Sequence, residues 1–124
     1  ARRAAGMRGG PRLLILPGLM GSSIGLLRKN GSVDVTWFDP VEIAQGELVK
    51  LALPAGHKYW AVGVLKFAYE RLRLVLRLAG FDATFHPYDW RRDIRWNGRE
   101  LADRLLREKR QDVVLVGHSM GGLV

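Results

Sequence analysis

The sequence contains no cysteine, and this absence excludes several kinds of site at once. Among its 124 residues there is no disulfide framework, no thiolate zinc site and no cysteine nucleophile. Internal repeats and low-complexity tracts are missing too, and no apolar run approaches the ~20 residues that a membrane-spanning helix needs. We therefore expect one ordinary folded segment, and neither a metal nor a cofactor is indicated by its residues.

Acidic residues are also scarce. The chain has 20 Lys and Arg against 12 Asp and Glu, which gives a formal net charge of +8. Such a balance raises the question of a nucleic-acid or anionic-membrane partner. Between Asp89 and Arg110, however, basic and acidic residues are interleaved, as on a solvated helix face. Because charge alone does not read bases, we expect no specific nucleic-acid binding.

The first twenty residues place basic residues before an apolar run, in the manner of a secretory signal. That run ends at Pro17-Gly18 after only four residues, and no small-residue cleavage site follows, so a buried strand fits better. We see no signal peptide. Since the sequence starts at Ala1 and ends at Val124, just after an apparent helix start, we expect it to be a piece of a longer protein. Its residues predict neither the localisation nor the oligomeric state of that protein.

The order of apolar patterns predicts an α/β fold. Buried strands are expected at 12–16, 81–85 and 112–116, and amphipathic helices at 60–79 and roughly 97–109. A turn is expected within 24–32, a small strand at 33–38, short helices at 40–51 and a loop at 53–57. Alternation of this kind favours parallel strands joined by right-handed crossover helices.

The strongest motif is G-x-S-x-G at 117–121, which directly follows the apolar run DVVLV. In this context the serine occupies a sharp strand-to-helix turn that exposes its hydroxyl, and Gly117 and Gly121 let the two elements pass closely. We predict that Ser119 is the nucleophile of an acyl-transferring or ester-cleaving enzyme. The backbone N–H of Met120 would be one donor to the developing oxyanion.

A second loop, LPGLMGSS at 16–23, is expected to provide the other oxyanion donor. Gly18 and Gly21 allow it to fold beneath the site with backbone amides facing inward. We favour the N–H of Met20 as this donor, with Leu19 as the alternative. A third segment, PYDWR at 87–91, places Asp89, Trp90 and Arg91 together. It predicts a polar network under a ring stack, and a purely structural role is equally open.

Four segments in order resemble the lecithin:cholesterol acyltransferase family of α/β hydrolases: LPGLMGS, TWFDP at 36–40, PYDWR and VGHSMGG. The resemblance extends over nearly the whole chain, and PYDWR is its discriminating part. It implies the N-terminal half of an α/β-hydrolase catalytic domain over 1–124, with the nucleophile elbow at its C-terminal end. It also implies acyl transfer or hydrolysis of lipid esters through Ser, Asp and His.

The same resemblance implies that an insert at 33–60 contacts lipid, through Trp37, Phe38 and Trp60. Such amphipathic rings suit a membrane boundary, although they could equally pack on the sheet. One departure limits the comparison. Secreted animal members have a disulfide in this region, and this chain has no cysteine, so specificity for cholesterol and lipoproteins is not implied.

The catalytic triad is incomplete in this sequence. In this fold the order along the chain is Ser, then Asp or Glu, then His. The five residues after Ser119 include no acidic residue and no histidine. His57 and His86 precede the nucleophile, and the turn directs His118 elsewhere, so we expect none of them to be the base. The alternatives to an acyltransferase or lipase-like hydrolase are a soluble esterase and a non-catalytic binding domain that keeps the fold.

Overall fold

The computed structural model describes residues 9–53, 58–109 and 112–124. Within them the chain forms two three-stranded sheets. The strands, in chain order, are β1 (Arg12–Leu16), β2 (Ser22–Leu27), β3 (Val33–Trp37), β4 (Trp60–Val64), β5 (Asp82–Phe85) and β6 (Val113–Gly117). The helices are α1 (Pro40–Ala44), α2 (Lys66–Leu78) and α3 (Ile94–Glu108), with 3-10 segments at Glu47–Leu51 and Ser119–Gly122.

The parallel sheet has the order β5-β1-β6, and its centre is the apolar run of β1. A strand that is covered on both faces reads as a continuous apolar run. Leu13 and Ile15 pack with Tyr69 of α2, whereas Leu14 and Leu16 pack with Leu101 of α3 on the other face. The predicted α/β fold, with parallel strands joined by helices, is therefore confirmed, and the helices cover both faces of the parallel sheet.

Strand β6 is less buried than its sequence predicts. Val114 and Leu115 are 42% and 47% exposed, so the prediction of a buried strand at 112–116 is wrong in this respect. The reason is position, because β6 lies at the edge of the sheet and pairs only with β1 in the described part of the chain. An apolar run predicts a strand but does not tell its place in the sheet.

The second sheet is antiparallel, with the order β3-β2-β4. The turn expected within 24–32 is confirmed at the tip of a hairpin, where Gly31 N–H donates to Arg28 O at 2.9 Å and Gly31 has φ of 82°. The first four residues of the segment belong to β2, which pairs with β3 and β4. The small strand predicted at 33–38 is confirmed as β3, and the short helices predicted at 40–51 are confirmed as α1 and a 3-10 segment.

The predicted helix at 60–79 is wrong in its first third. Trp60–Val64 is strand β4, and the helix begins only at Lys66. The segment WAVGV is rich in β-branched and aromatic residues, which favour strands, and pairing with β2 decides the outcome. The helix end is as expected, because Gly80 follows with φ of 98°, the left-handed conformation that ends helices.

Helix α3 begins three residues earlier than predicted because Asp93 caps it. The Asp93 carboxylate accepts a hydrogen bond from the N–H of Arg95 at 2.8 Å, which is the usual way an acidic N-cap satisfies a free donor. The loop predicted at 53–57 lies mostly outside the described residues, as does His57. None of the helices described is long and apolar enough to cross a membrane.

Candidate active site

Ser119 lies at the turn between β6 and the final 3-10 segment. It is exposed, and its φ of 53° lies in the left-handed region that a residue with a side chain adopts only at a cost. Two backbone hydrogen bonds fix the turn: His118 N–H donates to Leu16 O at 3.1 Å, and Gly121 N–H donates to His118 O at 2.9 Å. The strained backbone and the exposed hydroxyl are the features expected of an activated nucleophile turn.

The two glycines of the motif are required by space rather than by backbone angle. A Cβ on Gly121 would lie 2.5 Å from both Leu16 O and Pro17 O, and one on Gly117 would lie 2.6 Å from the Cα of Gly122. Real Cβ atoms do not approach backbone atoms so closely. The turn is therefore pressed against the end of β1, and this places it beside the loop that follows β1.

The loop at 17–22 contacts the nucleophile turn at Gly18. A Cβ on Gly18 would lie 3.2 Å from Ser119 Cβ and 2.8 Å from Nδ1 of His118. Two segments that are about a hundred residues apart in the sequence thus meet, and the structure brings Gly18 and Ser119 together as the fold requires. Gly21 is also confined, because its Cβ would lie 2.8 Å from the Tyr69 hydroxyl.

Hydrogen bonding leaves specific backbone donors free in this loop. Gly18 N–H donates to Tyr69 Oη at 2.9 Å, and Gly21 N–H donates to Gly18 O at 2.9 Å. Neither Leu19 nor Met20 donates a backbone hydrogen bond to any described residue, and the same holds for Met120. Free N–H groups beside a nucleophile can stabilise an oxyanion. The assignment of Met20 and Met120 to this role stays a prediction, with Leu19 still the alternative.

The PYDWR segment holds both ends of the loop. The Tyr88 hydroxyl donates to Pro17 O at 2.8 Å, and Trp90 Nε1–H donates to Ser22 O at 3.0 Å. Burial raises the pKa of Tyr88 to about 12, so its hydroxyl keeps the proton that it donates. The sequence predicts a polar network here, but its local pattern does not indicate that the rings of Tyr88 and Trp90 contact the loop at 17–22.

Asp89 and Arg91 form a buried ion pair within the same segment. Their side chains are 3% and 6% exposed, and the guanidinium contacts both carboxylate oxygens, with Nε at 2.7 Å from Oδ1 and Nη2 at 2.6 Å from Oδ2. Arg91 also donates to Leu51 O at 2.9 Å and to Tyr59 O at 2.7 Å. One side chain therefore connects Leu51 and Tyr59 to the segment that holds the loop.

An apolar groove opens beside the loop. It has a volume of about 430 Å³, and its lining includes Leu19, Met20, Trp37, Leu48, Leu53 and Trp90. The groove thus lies between the loop at 17–22 and the predicted insert at 33–60. The division of the chain into a catalytic part and that insert stays a prediction. Strand β3 of the predicted insert pairs directly with β2, which precedes the insert in the chain.

The three rings predicted to contact lipid do not form one surface. Trp37 donates its Nε1–H to Met20 O at 2.8 Å and packs against Trp90 at 5.7 Å between ring centroids. Trp37 and Ala61 pack in one cluster with Ile24, and Trp60 directly precedes Ala61 in β4. Since successive residues of a strand point to opposite faces, Trp37 and Trp60 lie on opposite sides of the second sheet. Phe38 is 42% exposed.

Two of the histidines lie within the described residues, and neither is hydrogen-bonded to Ser119 there. His118 Nδ1 is 3.0 Å from Tyr69 Oη, so its ring is turned toward α2. His86 is buried, and its Nδ1 is 3.1 Å from Nη1 of Arg104. Burial, followed by the positive charge of Arg104, lowers the pKa of His86 to about 4. In the same part of the chain, no group of three or more His, Asp and Glu residues is arranged to hold a metal ion.

One comparison with known proteins gives a match. A family model described as the alpha/beta hydrolase family matches residues 13–124. No curated protein and no solved structure matches the chain significantly. The match begins within β1 and includes the loop at 17–22, the PYDWR segment and the turn that carries Ser119.

Proposed function

Because the chain belongs to the alpha/beta hydrolase family, we propose that it forms the nucleophile and oxyanion part of a serine-dependent acyltransferase or lipase-like hydrolase. One observation carries this proposal. Ser119 has a strained backbone at an exposed turn, and a loop with free backbone N–H groups is packed against it at Gly18. This is the geometry that acyl transfer through a serine needs.

The chemistry follows from these groups. The Ser119 hydroxyl attacks the carbonyl carbon of an ester, and the electron pair of the C=O bond moves to the carbonyl oxygen. The N–H groups of Met120 and of Met20 or Leu19 stabilise that oxyanion. The serine proton passes to a histidine that this fold places after the nucleophile in the chain, and from it to the departing alcohol. Water or a second alcohol then takes the acyl group from Ser119.

The apolar groove supports an acyl chain as the part of the substrate that is recognised. Its lining begins at Leu19 and Met20, which are the residues that carry the free N–H groups. A chain leaving the carbonyl carbon would enter the groove directly, and each buried CH₂ contributes about 0.8 kcal/mol. The resemblance of the four motifs to lecithin:cholesterol acyltransferases favours lipid esters, whereas the family match is broader and includes no such detail.

We place the contact with a lipid surface at Phe38 and Phe67 rather than at Trp60. Phe67 is 79% exposed, and its ring centroid is 6.1 Å from that of Phe38, which in turn contacts Trp37 in the groove wall. The net charge of +8 adds attraction to anionic lipid. Phe67→Ser should therefore reduce co-sedimentation with anionic vesicles, whereas Trp60→Ser on the opposite face should not.

The nucleophile is tested in the full-length protein by covalent labelling with a fluorophosphonate. The label should attach to Ser119 and disappear in Ser119→Ala, while Ser32→Ala, an exposed serine in the hairpin turn, should label normally. Loss of esterase activity in Ser119→Ala should approach that of removing the whole triad. A label that persists in Ser119→Ala would refute the assignment, and a protein that neither labels nor hydrolyses esters would be a binding domain.

The groove is tested by filling it. Ala52 lines the groove, and Ala52→Trp should lower kcat/KM for p-nitrophenyl decanoate while leaving p-nitrophenyl butyrate unaffected. Equal rates on both esters in the unmodified protein, with no response to vesicles, would support a soluble esterase instead. An equal loss on both esters in Ala52→Trp would contradict the groove as an acyl site.

A further inference from the structure

One peptide unit in the loop is held at both of its ends by tyrosine hydroxyls. Pro17 O accepts a hydrogen bond from the hydroxyl of Tyr88 at 2.8 Å, and Gly18 N–H donates to the hydroxyl of Tyr69 at 2.9 Å. These two atoms belong to the same planar peptide group. Tyr88 is 3% and Tyr69 is 9% exposed, so water does not compete for either hydrogen bond.

The held peptide directly precedes the free donors. The next two peptide groups carry the N–H of Leu19 and of Met20, which have no partner in the described part of the chain. Beyond them, Met20 O accepts from Trp37 Nε1–H at 2.8 Å, and Gly21 N–H is bonded within the loop. The two free N–H groups thus lie between fixed peptide groups, and their direction depends on how the preceding one is held.

Tyr69 also connects the loop to the nucleophile turn. Its hydroxyl is 3.0 Å from Nδ1 of His118, the residue before Ser119, and the two rings are in edge contact at 5.8 Å between centroids. A single hydroxyl therefore contacts both segments that must be aligned for the reaction. Any displacement of Tyr69 would change the position of the loop relative to Ser119.

We infer that Tyr69 and Tyr88 are positioning residues that hold the Pro17–Gly18 peptide so that the N–H groups of the loop point at the oxyanion formed on Ser119. This inference rests on the proposed function. Neither tyrosine touches the substrate, and both act through the backbone. Misplacing a catalytic group by about 1 Å can cost on the order of 100-fold in rate, so the effect of removing these hydroxyls should appear in catalysis.

The experiment compares Tyr69→Phe, Tyr88→Phe and the double variant in the full-length protein. Tyr59→Phe is the matched control, because its ring is buried against Ile24 of the second sheet and its hydroxyl makes no hydrogen bond within the described residues. With p-nitrophenyl butyrate, we expect kcat per titrated active site to fall about 10-fold in each single variant and about 100-fold in the double one. KM should stay within about twofold, because the ground-state ester makes little use of the oxyanion donors.

A transition-state analogue separates positioning from general stability. An alkyl boronic acid forms a tetrahedral adduct with the serine, and its Ki should rise by the same factor as kcat falls, while Tyr59→Phe leaves both unchanged. If melting temperature drops while kcat per titrated site and Ki stay at the unmodified values, the tyrosines are only structural and the inference is overturned. Failure of the fluorophosphonate to label Ser119 in the unmodified protein would instead overturn the proposed function itself.

Discussion

The two loops that meet at Ser119 are held in place by different means. The nucleophile turn is held by its own backbone: β6 pairs with β1 up to Gly117, and the glycines leave no space between the turn and the end of β1. The loop at 17–22 is held by four aromatic side chains from three separate segments, namely Trp37, Tyr69, and Tyr88 with Trp90.

The difference decides how each loop responds to substitution. In the turn, one added methyl group meets backbone atoms that cannot move away, so the response is a sharp loss. In the loop, each side chain supplies one hydrogen bond, which is typically worth about 0.5–1.5 kcal/mol, so losses should accumulate step by step. The nucleophile is therefore fixed by sterics, and its oxyanion partner is fixed by a distributed set of contacts.

The largest loss of stability is expected on removing the charge of Arg91, which supports the loop at 17–22 through the PYDWR segment. Arg91→Ala removes one partner of the buried Asp89–Arg91 pair, and leaving such a charge unpaired typically costs about 3–5 kcal/mol. It also frees Leu51 O and Tyr59 O, so preference for long acyl chains should be lost. Chemical denaturation measures the first effect, and a series of p-nitrophenyl esters measures the second.

The control for Arg91 is Arg95, which pairs with Asp93 across the same two-residue spacing but on the surface. Arg95→Ala should change stability little, because exposed ion pairs contribute little. Equal destabilisation by the two variants would show that the Asp89–Arg91 pair does not support the loop more than any surface pair does.

A smaller effect is expected in the nucleophile turn. Gly121→Ala introduces a Cβ at 2.5 Å from Leu16 O and Pro17 O, and overpacking of this kind typically costs about 1–3 kcal/mol. Fluorophosphonate labelling of Ser119 should nevertheless fall steeply, since the turn itself is displaced. Gly122→Ala is the control, because its Cβ would meet nothing within 4 Å. If both variants label alike, sterics do not fix the turn.

The smallest effect is a dependence of stability on pH. It should arise beside the PYDWR segment that holds the loop at 17–22, and not in the nucleophile turn. His86 directly precedes the PYDWR segment, and its pKa is lowered from 6.5 to about 4. Between these values the unfolded chain binds a proton that the folded chain does not, so stability is lost as the pH falls, by about 2 kcal/mol at pH 5. Stability measured from pH 7 to pH 5 should show this slope.

His86→Gln should remove the slope while keeping an acceptor for Arg104. The carboxylate of Glu108 does not interfere, because Arg12 holds its pKa at about 2, and its contribution is lost only below the ordinary value of 4.5. An unchanged slope in His86→Gln would assign the pH dependence to another group.

The two loops also differ in how far the sequence predicts them. The turn at Ser119 could be predicted, because strand, glycines and serine are contiguous and their spacing carries the geometry. The hydrogen bonds of the other loop could not, since Tyr69 and Tyr88 lie 51 and 71 residues from the atoms they hold. The pattern PYDWR predicts a polar network, yet the targets of its rings depend on how β1 and β5 pair.

The same limit explains the error at 60–79. The apolar spacing there continues smoothly from Trp60 into α2, and local pattern alone extends the helix across it. Pairing with β2 makes Trp60–Val64 a strand. The hydrogen bond from Leu65 N–H to Gly21 O at 2.9 Å then marks the boundary at which the strand ends and the helix starts. Both contacts are non-local, so only the folded chain defines the boundary.

The contact between Tyr69 and His118 also couples the imidazole tautomer to the direction of the Tyr69 proton. The Tyr69 hydroxyl accepts from Gly18 N–H. Where it also donates its proton to Nδ1 of His118, the neutral ring carries its hydrogen on Nε2, and where it accepts from Nδ1–H, the neutral ring leaves Nε2 as an acceptor. The direction of one phenol proton at Tyr69 therefore sets what the exposed side of His118 offers to a ligand: a hydrogen for a carbonyl or carboxylate oxygen in the first case, and a lone pair for a hydroxyl or amide donor in the second.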